Sequence, residues 1–187
     1  ETLMKYGYGE DEPYTPLELT LRTCNNIDIE ATVQISKTLL NAGAKKTTRM
    51  KQFVTEIGEQ FEFYRDRFNQ ESVDDTNKAL HELYAIFDVE PVPMRIIHDG
   101  ITPIEVKAKT WQKQHAELWD LLVPGGGQAK TIQGEVIRIT GRVARELLDN
   151  GGMNWDADYK KMVSSFYDFV QQGNKLSDEE MTELKAV

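Results

Sequence analysis

An all-α fold of seven or eight helices, with little or no sheet, follows from three features of this 187-residue chain. Apolar residues recur every three or four positions over most of its length. Helix-start signals precede those runs, and glycines close several of them. This organisation predicts a tail over 1–14 and one globular helical domain over 15–187, with a seam at 89–101 between two helical halves.

The elements follow in order. Thr15-Pro16-Leu17-Glu18 offers a threonine cap, a proline at the first helical position and a glutamate to close a capping box, predicting a helix over 16–24. A second helix, 27–41, stops at Asn41-Ala42-Gly43, where glycine suits a left-handed cap. The stripe Phe53, Ile57, Phe61, Tyr64 and Phe68 predicts a helix over 45–69. Leu80, Leu83, Tyr84 and Phe87 predict the next, over 73–87, with Asp74 and Asp75 in a first turn that the helix dipole favours. Pro91 and Pro93 argue against a central strand in the seam that follows. Thr102-Pro103-Ile104-Glu105 repeats the T-P-x-E signal and predicts a helix over 103–123. Beyond the break at Pro124-Gly125-Gly126-Gly127, the stripe Ile132, Val136, Ile139, Val143 and Leu147 predicts a helix over 130–149, closed by Asn150-Gly151-Gly152. Trp155, Tyr159, Met162, Phe166 and Val170 predict 155–172, stopped by Gly173, and the capping box at Ser177–Glu180 starts a last helix over 178–185.

Composition narrows the function classes. The chain is 40% hydrophobic and 28% charged, which is the range of chains that bury a core. No apolar run approaches the roughly 20 residues that span a bilayer. Cys24 is the single cysteine, so no internal disulfide forms, and a reducing, cytoplasmic compartment is the expectation. The net charge of −9 opposes non-specific attraction to phosphate backbones. A protein partner is the expected ligand class.

Several constellations compete as sites. Trp111, His115 and Trp119 fall on one face of the predicted 103–123 helix, which predicts a strongly buried His115 between two indoles. The ring serves there either as a ligand-binding imidazole or as a core histidine bonded to a carbonyl, the favoured reading. The loop Pro124–Thr131 lacks the glycines of a phosphate-binding loop. Gly134 and Gly141 lie on one side of their helix, where glycine costs about 1 kcal/mol, so another helix is expected to approach closely. Arg138, Arg142 and Arg145 form a basic arc flanked by Glu135 and Glu146. Such an arc is either neutralised within the fold, with Arg142 and Glu146 spaced to pair, or it is a site for a carboxylate or another anion. Asn154, Trp155 and Asp156 follow the double glycine. Asn154 is the expected cap, and Trp155 a candidate anchor for a protein partner.

One acidic pattern points to metal chemistry. Glu56 and Glu59 form E-x-x-E on a helix, and Glu71 and Asp74 form E-x-x-D at the next helix start. Carboxylates one turn apart on adjacent helices suit hard divalent cations. Over 56–74 this is similar to the E-x-x-E…E-x-x-D pattern of the all-α nucleoside triphosphate pyrophosphohydrolases of the MazG type, with slightly shorter spacing. The resemblance implies Mg or Mn held by these four carboxylates and a phosphohydrolase activity. It stands as the alternative to the preferred expectation, a binding or regulatory protein acting through a protein partner.

Overall fold

A computed structural model describes residues 13–172 and 176–186, leaving aside the side chains of Gln70, Lys185 and Ala186. Among the described residues there are eight α-helices and no sheet. Contacts divide the chain into two compact helical units, one ending at Arg95 and the other beginning at Ile96, a boundary inside the segment expected as a seam.

The first unit holds α1 (Pro16–Arg22), α2 (Ile29–Asn41), α3 (Thr48–Tyr64) and α4 (Gln70–Phe87), with single 3₁₀ turns at Asn26–Asp28 and Arg65–Arg67. The expected capping box forms at α1: Glu18 N donates to Thr15 Oγ1 at 3.2 Å, and Thr15 N donates to Glu18 Oε2 at 3.0 Å. Glu18 is itself buried and reaches further. Thr47 Oγ1 donates to it at 2.8 Å and Arg49 Nε at 3.3 Å, so one carboxylate caps α1 and ties it to α3. The apolar stripes of α3 and α4 close into one core: Phe53, Ile57, Phe61, Leu80, Leu83, Tyr84 and Phe87 are all buried. Tyr14 packs on Phe53 in the same core, which moves it out of the expected tail; 1–12 lie outside the described residues. Cys24 is buried as well. Burial pushes its thiol up, and Thr32 Oγ1 donates to the sulfur at 3.2 Å.

Two starts differ from expectation. α4 starts at residue 70 rather than 73, capped by Asn69, whose side chain accepts from Glu71 N at 3.1 Å. The helix expected over 103–123 begins only at residue 111, because its T-P-x-E signal is captured elsewhere. The Asp99 carboxylate accepts from Ile101 N, Thr102 N and Thr102 Oγ1 at 2.8, 2.9 and 2.7 Å, which holds its pKa at about 2. Asp99 thereby ties Ile101 and Thr102 into a turn of their own ahead of Pro103. Glu117 completes the diversion by accepting from Lys107 N and Ala108 N, pinning the extended segment.

The second unit holds α5 (Trp111–Leu122), α6 (Ile132–Leu148), α7 (Ala157–Val170) and α8 (Asp178–Ala186). α6 is its central element, packing against both α5 and α7. Tyr167 Oη donates to Leu184 O at 3.1 Å and links α8 to α7. The expected stop at Gly173 lies outside the described residues. No helix among the described residues is long and apolar enough to cross a membrane.

The interiors of the two units differ. Among the described residues, sixteen apolar side chains are buried together in the first unit. In the second, Leu122, Val123 and Ile139 are the buried apolar residues among those described, and α7 buries none of its own. The α7 stripe is amphipathic, yet Tyr159, Met162, Phe166 and Val170 all stay partly accessible.

Candidate functional site

The sequence-expected residues do not converge on one site. Trp111 is the first residue of α5 and 72% exposed, so it does not face inward with His115. With the late start of α5, Trp111 stands at its first position rather than in the interior of a longer helix. His115 is half-buried, less than expected. Its Nε2 lies 3.2 Å from Ile137 O and 3.0 Å from Thr140 Oγ1, which makes it a hydrogen-bonded link from α5 to α6. Its ring lies 6.1 Å from that of Trp119. Both pack over Gly141, where a Cβ would stand 2.5 Å from Trp119 Cζ3 and 3.1 Å from His115 Cε1. The close approach read from Gly141 is thus made by an indole and an imidazole of α5.

The basic arc is divided. Arg138 is buried and grips Glu135 with two nitrogens, Nε donating at 2.8 Å, while Ala129 N also donates to Glu135 at 2.9 Å. The guanidinium holds the Glu135 carboxyl below its ordinary range. Arg138 is therefore committed within the fold. Arg142 and Arg145 are exposed. Removing one partner of a buried pair leaves the other charge unsatisfied, so Glu135→Ala is expected to cost about 3 kcal/mol, read as a lower urea midpoint. The paired change Glu135→Leu with Arg138→Met is expected to cost clearly less, because no charge is stranded.

Glu146 does not pair with Arg142. It is 4% exposed and organises the turn between α6 and α7. Asn150 Nδ2 donates to both its oxygens at 3.0 Å, Asn154 N donates at 2.6 Å, and Asn154 Nδ2 and Tyr159 Oη add longer bonds. The Asn154 amide is the main cause of the depressed pKa of this carboxyl. Asn154 is consequently not the cap of α7. Asp156 is, accepting from Asp158 N at 2.9 Å and Tyr159 N at 3.1 Å. Glu146 was missed as a site organiser because its i,i+4 spacing to Arg142 suggested an ion pair. Its equal spacing to Asn150 was the available signal.

That turn carries the most concentrated apolar exposure of the second unit. Leu147 is 51% exposed, Leu148 82%, Met153 85% and Trp155 36%. Trp155 stacks on Tyr159 with centroids 5.5 Å apart, so the indole is held in place by a ring that Glu146 also contacts. The result is an apolar surface on an ordered turn, beside the exposed Arg142 and Arg145.

The metal reading finds no assembled ligand set. Glu56, Glu59, Glu71 and Asp74 are all exposed, and Glu56 accepts from Gln52 Nε2 at 2.9 Å. Among the described residues no group of three or more His, Cys, Asp or Glu side chains is placed to hold a metal ion. The carboxylates share helical spacing on α3 and α4 but point to solvent, because the facing sides of those helices are filled by the core stripes. Comparison with known proteins adds no relative: no family model, no curated protein and no solved structure matches the chain.

Proposed function

We propose that this chain is a binding or regulatory protein that acts through a protein partner, engaged by the α6–α7 face of its second unit. The observation that carries the reading is the unclosed apolar side of that unit. Of the α6 stripe Ile132, Val136, Ile139, Val143 and Leu147, Ile139 is buried while Ile132 and Leu147 are exposed. Leu148, Met153 and Trp155 extend that exposure around the turn. Exposed apolar clusters rimmed by polar residues characterise interaction surfaces, and Trp and Met are enriched in interface cores.

Charge specifies the partner's chemistry. Arg142, Arg145 and Leu148 follow at i,i+3 spacing on α6, a basic approach to an apolar tip in a chain of net charge −9. An amphipathic helix with apolar residues for Leu148, Met153 and Trp155, and carboxylates for the two arginines, fits this surface. The test is capture of the partner by the wild type and by Trp155→Ala and Leu148→Asp, with circular dichroism to follow the fold. Trp155→Ala is expected to weaken binding about tenfold or more with helicity unchanged. Undiminished capture by both folded variants contradicts the reading.

A further inference from the structure

We infer that Asn150–Gly151 is a self-reacting modification site whose conversion to aspartate and isoaspartate opens the α6–α7 turn. Asn150-Gly151 is the only Asn-Gly pair in the sequence. In the reaction the Gly151 backbone nitrogen, losing its proton to solvent, attacks Asn150 Cγ. The new N–Cγ bond closes a succinimide, the Cγ–Nδ2 bond breaks, and ammonia departs. Water then opens the ring at either carbonyl, leaving aspartate or isoaspartate. Water is the sole co-reactant.

The turn leaves the nucleophile available. Asn150 N donates to Arg145 O at 3.2 Å and Gly152 N to Glu146 O at 2.8 Å, whereas Gly151 N, between them, makes no hydrogen bond among the described residues. Gly151 is exposed, and apart from its chain neighbours no heavy atom of the described residues lies within 4 Å of where a Cβ would sit. Every other asparagine precedes a residue whose side chain crowds this attack.

The product conflicts with the turn. The Asn150 amide now donates to both Glu146 oxygens at 3.0 Å. After conversion to aspartate a carboxylate faces a carboxylate at that distance, and like charges so close are disfavoured; in isoaspartate the amide that bonded Glu146 is gone and its carbon has entered the main chain. Isoaspartate also lengthens the main chain where Met153 N donates to Asn150 O. Release of Glu146 frees Asn154 and Tyr159, and with them the seat of Trp155. This chemistry does not depend on the partner reading.

The experiment ages the purified protein at mildly alkaline pH, maps isoaspartate by peptide mass spectrometry, and follows hydrogen exchange at Gly152 and Asn154. The Asn150 peptide is expected to convert ahead of every other asparagine peptide, with faster exchange at both amides. Asn150→Gln, which keeps an amide but cyclises slowly, is expected to show neither change. Earlier conversion at another asparagine, or converted protein with unchanged exchange at Gly152 and Asn154, overturns the inference.

Discussion

Gly58→Ala is expected to destabilise the first unit severely, although alanine is the better helix former by about 1 kcal/mol. Gly58 lies within α3 and is buried. A Cβ there would stand 2.0 Å from Tyr84 Oη, 2.9 Å from Val92 Cγ2 and 3.0 Å from Tyr84 Cζ. The Tyr84 ring is itself buried, and that burial pushes its phenol above the ordinary value. With no open side to swing into, the ring can yield only if α4 moves away from α3. Overpacking of this kind costs about 1–3 kcal/mol and occasionally more. For a unit of this size each kcal/mol lowers the melting temperature by roughly 4–8 °C. Adding Tyr84→Phe removes the 2.0 Å clash but leaves the contacts at 2.9 and 3.0 Å, so it is expected to recover part of the loss. Thermal melts of both variants check this. A Gly58→Ala protein that melts at or above the wild type contradicts the packing described.

Glu18→Ala is expected to cost about 2–4 kcal/mol, since it removes an N-cap partner and strands a buried interhelical contact at once. The pH dependence identifies the cause. Burial pushes the Glu18 carboxyl up, but hydrogen bonds from Thr15 N, Thr47 Oγ1 and Arg49, with the Arg49 charge, outweigh it and hold the pKa below the ordinary 4.5. A carboxylate whose pKa is lower folded than unfolded stabilises the fold above its unfolded pKa, and loses that contribution as pH falls through the folded one. Wild type and Glu18→Gln are therefore expected to differ most near neutral pH and to converge in acid. Denaturant midpoints measured across that range test this, and a gap that does not narrow toward acid contradicts it.

The helices were legible because their signals are local. Periodicity and caps marked eight segments, and the structure places helices in all eight. The late start of α5 was not legible, since Thr102-Pro103-Ile104-Glu105 is a sound capping sequence in isolation. What competes with it is Asp99, which binds the backbone amides of Ile101 and Thr102, and Glu117, which holds 107–108 from ten residues away. The consequence spread to the site, because Trp111, expected in the interior of a longer helix, is instead the exposed first residue of α5. Gly134 and Gly141 were read as close approaches, and the same rule applied to Gly58 would have found the Tyr84 contact. For Glu146, two i,i+4 partners competed on paper. The fold decides between them by burying the carboxylate beneath the turn, where the amides of Asn150 and Asn154 can reach it. Helical spacing likewise cannot distinguish a core stripe from an interface stripe. Phe53, Ile57 and Phe61 are buried, while the equally periodic Ile132 and Leu147 are exposed.

Site-specific photo-cross-linking tests the partner claim most directly. A photoreactive phenylalanine is placed at Leu148, 82% exposed in the second unit, and in a separate protein at Ile27, 88% exposed in the first. Matched exposure and apolar character make Ile27 the control for non-specific adhesion. The proposal predicts a discrete protein adduct from position 148, lost when Trp155 is also replaced by alanine, and no such adduct from position 27. Equal labelling from both positions, or no adduct from position 148 in the cells that make this protein, contradicts it.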